Sequence, residues 1–266
     1  MSNSDDGTVQ LFTRSGDRPD QLRRAGAIDL DVPDLEIYAL ALTPDDRTLA
    51  VGDAHAGITL WDVADPDDPE RLQVELAGPT GPIQALAIDP TGTELAATGE
   101  GDGVFRWDIG DPADPRQLPL LPALDVTWGV AYHPDGGRLA VGLETCEVQL
   151  WDLAGGAAPR RSGVAPADDG SVFDVVFSPD GRFLAAGSRG GTLQVWDVSS
   201  SAAPRPVEVA DGLFDSWVNT VAFSADGAYL AAGSSDLSLR IWDTDGWSVV
   251  QTLPHPAALT QAAFTN

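Results

Sequence analysis

The sequence predicts an all-β fold, and three observations support that prediction. The dipeptide Trp-Asp recurs five times, at intervals of 44 to 46 residues. A turn marker, usually Pro-Asp, stands 17 residues before each of these tryptophans. Between the markers the chain consists of short apolar runs separated by Gly-, Asp- and Pro-rich turns, and no stretch has convincing helical length. Together these features indicate a protein assembled from repeated β-units.

Each repeat divides into four short strands, as the fourth repeat illustrates. Residues 172–179 are an apolar run that ends at Pro-Asp-Gly, and residues 183–188 are mostly small. Residues 192–197 carry the Trp-Asp pair, and residues 204–210 alternate between apolar and polar side chains. Because the distance from turn to Trp is constant, length variation falls in the connector to the next repeat. This pattern predicts a rigid four-stranded antiparallel unit whose Trp wedges against a neighbouring unit.

Trp-Asp pairs at this spacing, with four strands a repeat, resemble the WD-repeat family of β-propellers over nearly the whole chain. The resemblance implies a single propeller domain over residues 1–266. Its expected blades are residues 35–80, 81–124, 125–168, 169–213 and 214–254, with a composite blade of 255–266 plus 1–34. The Asp-Pro-rich connectors are also similar to those in WD-repeat regions of bacterial regulatory and signalling proteins.

The phase of the two ends favours six blades. Residues 259–266 match the first strand of a unit, and residues 7–12 match a third strand with Phe12 in the place of Trp. A ring closed by both termini would remove exposed sheet edges, which otherwise invite aggregation. The alternative is an excerpt from a longer array of seven or more blades, since seven is the commoner count in the resembling family.

The resemblance also assigns structural roles to two sets of residues. The repeat anchors are Trp61, Asp62, Trp107, Asp108, Trp151, Asp152, Trp196, Asp197, Trp242 and Asp243. A second set, of His, Ser and Asp, ties blades together by hydrogen bonds in this family. Most repeats here lack it, and Phe214 stands in one of the His places. Only the composite blade combines His255, Ser2 and Asp6, which we expect to be a stabilising network and not a catalytic trio.

The chain is strongly acidic. It has 41 Asp and Glu against 15 basic residues, all of them Arg, and a formal net charge of -26. Many of the aspartates fall in turns, where Asp is a favoured residue. A field of this sign repels phosphate, so we expect no nucleic acid and no membrane partner. With no apolar run of membrane-spanning length and no secretory signal, the sequence predicts a monomeric, cytoplasmic module.

Residues that carry chemistry are few. The three histidines, His55, His133 and His255, fall in different repeats and at different phases, so no metal site is expected. The single cysteine, Cys146, has acidic neighbours that make it a poor nucleophile. Nucleophile-elbow and phosphate-loop motifs are missing from the sequence. We therefore predict no catalytic residue, no metal and no cofactor.

One set of positions points to binding. In the resembling family, the residue after the first apolar position of each inner strand lies at one mouth of the axial channel. We call these residues, together with the adjacent Trp217, the mouth positions: Tyr38, Gln84, Trp128, Phe173, Trp217, Asn219 and Thr260. Their aromatic rings in an acidic protein suit a peptide that bears Arg or Lys. The alternative is that these rings only pack between blades.

The sequence therefore predicts a non-enzymatic protein-protein interaction scaffold. It would be a module of a bacterial regulatory or signalling protein that binds a partner peptide or domain at the mouth positions. The alternative function is a propeller-type hydrolase or metal-dependent enzyme that uses the central channel, which requires converging His and carboxylate groups.

Overall fold

The fold is described from a computed structural model of the chain. The structure describes residues 7–15, 18–30, 32, 35–74, 76–100, 103–122, 125–153, 158–167, 170–200, 203–209 and 212–264. The chain divides into two compact units, Met1–Leu124 and Asp125–Asn266. All the regular secondary structure of the described residues is β-strand, which confirms the all-β prediction.

The first unit contains a two-stranded hairpin followed by two blades. The hairpin strands are β1 (Thr8–Ser15) and β2 (Arg18–Asp29). The strands of the first blade are β3 (Ile37–Leu42), β4 (Thr48–Asp53), β5 (Ile58–Asp62) and β6 (Glu70–Arg71). The strands of the second blade are β7 (Ile83–Ile88), β8 (Glu94–Gly99), β9 (Gly103–Asp108), β10 (Arg116–Gln117) and β11 (Leu121–Pro122), of which the last two both pair with β9.

The second unit contains three four-stranded blades. The strands of the third blade are β12 (Thr127–Tyr132), β13 (Arg138–Leu143), β14 (Glu147–Asp152) and β15 (Arg160–Pro166). Those of the fourth are β16 (Val172–Phe177), β17 (Phe183–Ser188), β18 (Leu193–Asp197) and β19 (Arg205–Val207). Those of the fifth are β20 (Val218–Phe223), β21 (Tyr229–Ser234), β22 (Ser238–Asp243) and β23 (Val249–Pro254). In each blade, sequence neighbours pair antiparallel, the order typical of a propeller blade.

The tryptophans of four of the third strands lie in apolar clusters with residues of the preceding blade or hairpin. Trp196 on β18 lies in one apolar cluster with Ala140 and Leu150 of the third blade. Trp242 on β22 lies in another cluster with Val195 of the fourth blade. All five Trp-Asp tryptophans are at most 8% exposed. A large ring at this position therefore joins one blade to the next.

Glycine in the second strand allows the next inner strand to approach closely. A Cβ added to Gly142 would lie 2.7 Å from the carbonyl oxygen of Val172, and one added to Gly187 would lie 2.7 Å from Cγ1 of Val218. These distances are too short for a real side chain, so both positions need Gly for backbone approach and not for a special φ. The second strand thereby sets the spacing between adjacent blades.

Aspartates hold the turns of the blades. In the fourth blade, Oδ1 of Asp180 accepts hydrogen bonds from the Ser178 hydroxyl (2.6 Å) and the Arg182 backbone N–H (3.0 Å). The fifth blade repeats this turn with Asp226 and Ser224 (2.6 Å). The bond from the hydroxyl is the main cause of a lowered pKa for both carboxyls. Some of the acidic residues of the chain thus stabilise turns.

The described residues do not form the predicted composite sixth blade. Their sheets amount to five blades and the two-stranded β1–β2 hairpin. Phe12, predicted to occupy the place of a buried Trp, is 47% exposed, whereas Val9 and Leu11 are buried. The pairing register of β1 shifts between Gln10 and Phe12. Side chains alternate between the two faces of a strand, so Phe12 lies on the face opposite to Val9 and Leu11, where its ring is exposed.

The C-terminal part of that composite blade also differs from the prediction. Residues 259–264 form no strand. A Cβ on Gly233 would lie 3.0 Å from Cβ of Leu259, so this segment lies where the next inner strand would lie. Side chains mainly hold it there, including Thr220 Oγ1, which accepts from the Ala262 N–H at 3.1 Å. Without a ladder of backbone partners the segment remains irregular. The predicted partner residues 1–6 lie outside the described residues, and the single-domain boundaries stay a prediction.

Replacing Trp196 by Ala should strongly destabilise the protein, because it empties the contact between the third and fourth blades. Truncation of a large buried aromatic costs about 3–5 kcal/mol, equivalent to a fall of roughly 6–20 °C in the melting midpoint. Tyr229→Ala removes a ring that is 44% exposed and is the matched control. Thermal unfolding followed by circular dichroism measures both. Equal midpoints for the two variants would show that the Trp is not an anchor.

Candidate functional site

The inner strands bulge at the mouth positions. The register of each inner strand against its neighbour shifts at the same place: Ile37–Ala39, Ile83–Ala85, Thr127–Val130, Val172–Asp174 and Val218–Thr220. The residues inside these shifts include Tyr38, Gln84, Trp128, Phe173 and Asn219. A bulge takes a residue out of the hydrogen-bonded ladder and re-aims its side chain. The backbone of each inner strand therefore departs from regular pairing at the same position of the repeat.

Three of the predicted aromatic residues lie together in the second unit. The ring centres of Trp128 and Phe173 are 5.3 Å apart and their planes cross at 71°. Those of Phe173 and Trp217 are 5.8 Å apart and cross at 63°. Both are edge-to-face contacts between successive blades, a favourable arrangement for aromatic pairs. We call Trp128, Phe173 and Trp217 the aromatic row.

The aromatic row remains accessible from one end. Trp217 is 45% exposed, while Trp128 and Phe173 are partly buried. The rings therefore combine the two roles that the sequence left open, since they contact one another across blades and still present surface to solvent.

An arginine that the sequence reasoning missed completes this arrangement. The guanidinium carbon of Arg189 lies 5.2 Å from the ring centre of Trp217, within the range of a cation-π contact. Arg189 is exposed and sits in the turn between β17 and β18. Its backbone N–H donates to the carbonyl oxygen of Ser171 at 2.8 Å, which holds the turn in place. Its sequence position gives no signal of a partner 28 residues further along the chain.

The remaining mouth positions have other surroundings. In the first unit, Tyr38 is 38% exposed and its hydroxyl donates to the Glu36 carboxylate, while Gln84 on β7 is partly buried. In the second unit, Asn219 Nδ2 donates to Ser235 Oγ and to the carbonyl oxygen of Leu259, both at 2.8 Å. Asn219 thus holds the C-terminal segment, in which Thr260 is exposed.

A carboxyl group lies beside the aromatic row, on the residue after Phe173. Burial raises the pKa of Asp174 to about 6, although hydrogen bonds from the Val221 N–H and the Thr220 hydroxyl oppose that rise. The bond from Val221 N to Asp174 Oδ2 is 2.8 Å long and joins the fourth blade to the fifth. A group that ionises near pH 6 at a blade junction couples the packing of the blades to protonation.

In the fifth blade, where Phe214 stands in a His place of the resembling family, a different set of contacts is present. Arg240 lies 4.1 Å from the ring centre of Phe214 and forms an ion pair with Asp236 at 3.6 Å. Phe214 in turn contacts Trp242, with ring centres 6.1 Å apart. A cation-π and aromatic stack thus stands where a His would bond an Asp. The predicted His255 is exposed, and its Nδ1 lies 2.8 Å from the Ala257 carbonyl oxygen. Ser2 and Asp6 lie outside the described residues.

Within the described part of the chain, no group of three His, Cys, Asp or Glu side chains is arranged to hold a metal ion. The same residues include no helix with the length and apolar character needed to cross a bilayer.

His133 is buried, with Nδ1 2.7 Å from the Asp135 carboxylate and Nε2 3.0 Å from the Gly181 carbonyl oxygen, so it joins two adjacent blades.

Comparison with known proteins identifies the repeats. The family "WD domain, G-beta repeat" matches residues 162–197 and 211–243, and each match ends at the Asp of a Trp-Asp pair. A search of curated proteins finds no match to the chain. The matched segments are therefore WD40 repeats, and in the structure they contribute to four-stranded antiparallel blades. WD40 propellers are generally non-enzymatic modules that bind proteins or peptides.

The Asp174→Asn variant should be more stable than the wild type at neutral pH. The folded-state pKa of about 6 exceeds the ordinary value of 3.8 for an Asp carboxyl, so folding favours the protonated carboxyl. That stabilisation is complete below the unfolded pKa and is lost as the pH rises through the folded pKa. An amide keeps the bond from Val221 without ionising, and should recover about 2–3 kcal/mol at pH about 7.5.

Melting midpoints of wild type and variant across pH about 4 to 8 test this expectation. The difference between them should grow as the pH rises. Asp226→Asn is the control, because the lowered pKa of Asp226 predicts the opposite sign. A midpoint for Asp174→Asn at or below that of the wild type at neutral pH would contradict the role assigned to burial.

Proposed function

We propose that this protein is a non-enzymatic interaction scaffold that binds a partner peptide or domain at the aromatic row. The observation that carries the proposal is the contact of Trp128, Phe173 and Trp217 across three successive blades, with Trp217 exposed at one end. Aromatic residues dominate binding hot spots because they bury a large area with few rotatable bonds. Rings already ordered by their neighbours lose little conformational entropy when a partner binds.

The charge of the chain selects the kind of partner. A net charge of -26 attracts cationic segments and speeds their encounter, and salt screens this attraction. The faces of aromatic rings attract Arg and Lys side chains through cation-π contacts. The proposed partner is therefore a segment rich in Arg or Lys. Nucleic acids and anionic membranes are disfavoured by the same field.

A regulatory role and a cytoplasmic location are part of the same proposal. The Asp-Pro-rich connectors are similar to those of bacterial regulatory and signalling proteins, which supports a regulatory role. The acidic composition and the lone cysteine suit a monomeric module in the cytoplasm.

Binding of short fluorescein-labelled Gly-Ser peptides that carry Arg, Lys or Glu tests this function. We expect the cationic peptides to bind and the acidic one not to bind, with affinity that falls as salt is added. Trp217→Ala and Trp128→Ala should each weaken binding by about tenfold or more, as loss of a hot spot does. Tyr229→Ala, which removes a similarly exposed ring on another part of the fifth blade, should bind as the wild type does.

Melting midpoints separate binding from folding. Trp217 is the more informative position, because its exposure makes a large loss of stability on truncation unexpected. If the row variants lose stability but their folded fraction still binds the peptides, then the rings serve packing alone. Equal binding by the wild type and all row variants would overturn the proposal.

A further inference from the structure

Arg189 has an unusual charge for its position in the repeat. In each blade of the second unit, an equivalent backbone hydrogen bond ties the turn between the second and third strands to the segment at the start of the inner strand. That bond runs from Glu144 N to Val126 O (3.0 Å), from Arg189 N to Ser171 O (2.8 Å) and from Ser235 N to Trp217 O (2.9 Å). Glu144, Arg189 and Ser235 are therefore equivalent, and only the fourth blade has a cation there.

The surroundings of Arg189 differ from those of other arginines near aromatic rings. Arg240 and Arg182 also lie over rings, at 4.1 Å from Phe214 and 4.7 Å from Phe183, and each also pairs with an Asp carboxylate. Arg189 forms no ion pair within the described residues, although the chain carries 41 acidic residues. Its side chain instead contacts the next blade, where the guanidinium carbon lies 5.2 Å from the centre of the Trp217 ring. A planar guanidinium stacks well on such a ring.

We propose that the Trp217 ring is the arginine-binding position of the aromatic row, and that Arg189 fills it until an arginine of the partner takes its place. This inference rests on the proposed function and specifies its ligand chemistry as a guanidinium. Arg189 serves as the internal example of the ligand, since it is a guanidinium over the most exposed ring of the row.

The exchange requires little rearrangement. The Arg189 backbone stays anchored to Ser171, so only an exposed side chain has to rotate away. Release of this side chain breaks no ion pair with any of the described residues. The incoming guanidinium then regains the ring contact that Arg189 gives up, and the acidic field of the chain favours the added positive charge.

Competition binding with an engineered pair of variants tests the inference. Arg189→Ala removes the internal competitor. Arg182→Ala removes the same charge and the same kind of ring contact, but at the opposite end of β17 (Phe183–Ser188). The probes are a Gly-Ser peptide that carries arginines and matched peptides with lysine or with uncharged citrulline at the same positions.

The expected results differ between the variants. Arg189→Ala should bind the arginine peptide about two- to fivefold more tightly than the wild type, the range that an exposed cation-π contact provides. Arg182→Ala should bind like the wild type. Trp217→Leu should lose most of the preference for arginine over citrulline. Unchanged melting midpoints for both arginine variants would show that folding is not the cause.

Two kinds of outcome would overturn the inference, and they differ from a failure of the proposed function. If Arg189→Ala binds the arginine peptide no better than Arg182→Ala does, Arg189 is not a competitor. If the wild type binds lysine or citrulline peptides as well as arginine peptides while Trp128→Ala still weakens binding, the row binds peptides without a guanidinium position. If the row variants bind as the wild type does, the scaffold proposal itself is wrong.

Discussion

The burial of one tryptophan per blade is the interaction on which the rest of the structure depends. A four-stranded sheet has two faces, and a single blade cannot bury either of them alone. Trp196 and Trp242 each join a cluster that includes the preceding blade, and the glycines of the second strands bring the next inner strand close. The stability of such an array is approximately the sum of the stabilities of its blades and of the contacts between neighbouring blades. Loss of one ring should therefore weaken one contact between blades by a large amount.

The same packing creates the candidate site. When repeats of constant internal length stack, equivalent residues of successive blades lie side by side. The bulge of each inner strand then turns one side chain out of the ladder, and in the third and fourth blades these side chains are the rings of Trp128 and Phe173. Trp128, Phe173 and Trp217 are therefore held by one another, and a partner would meet an ordered surface.

The acidic residues of the chain have more than one role. Asp180 and Asp226 accept bonds from their own turns, which lowers the pKa of each carboxyl. Asp174 joins two blades, and its burial raises the pKa to about 6. Residue type alone does not distinguish these cases. They also act in opposite directions on stability, because acidification weakens the turn contacts and relieves the buried charge.

The repeat, the four strands of each blade and the set of equivalent inner-strand positions could be predicted from the sequence. These follow from local spacing, since Trp-Asp, the turn aspartates and the apolar runs all lie within one repeat. The fold was needed to establish that Phe12 is exposed, that residues 259–264 form no strand, and that Arg189 lies over Trp217. It alone placed Asp174 against Val221 of the next blade. Those outcomes depend on strand register and on contacts between blades, which join residues far apart in the chain and leave no periodic signal within a repeat.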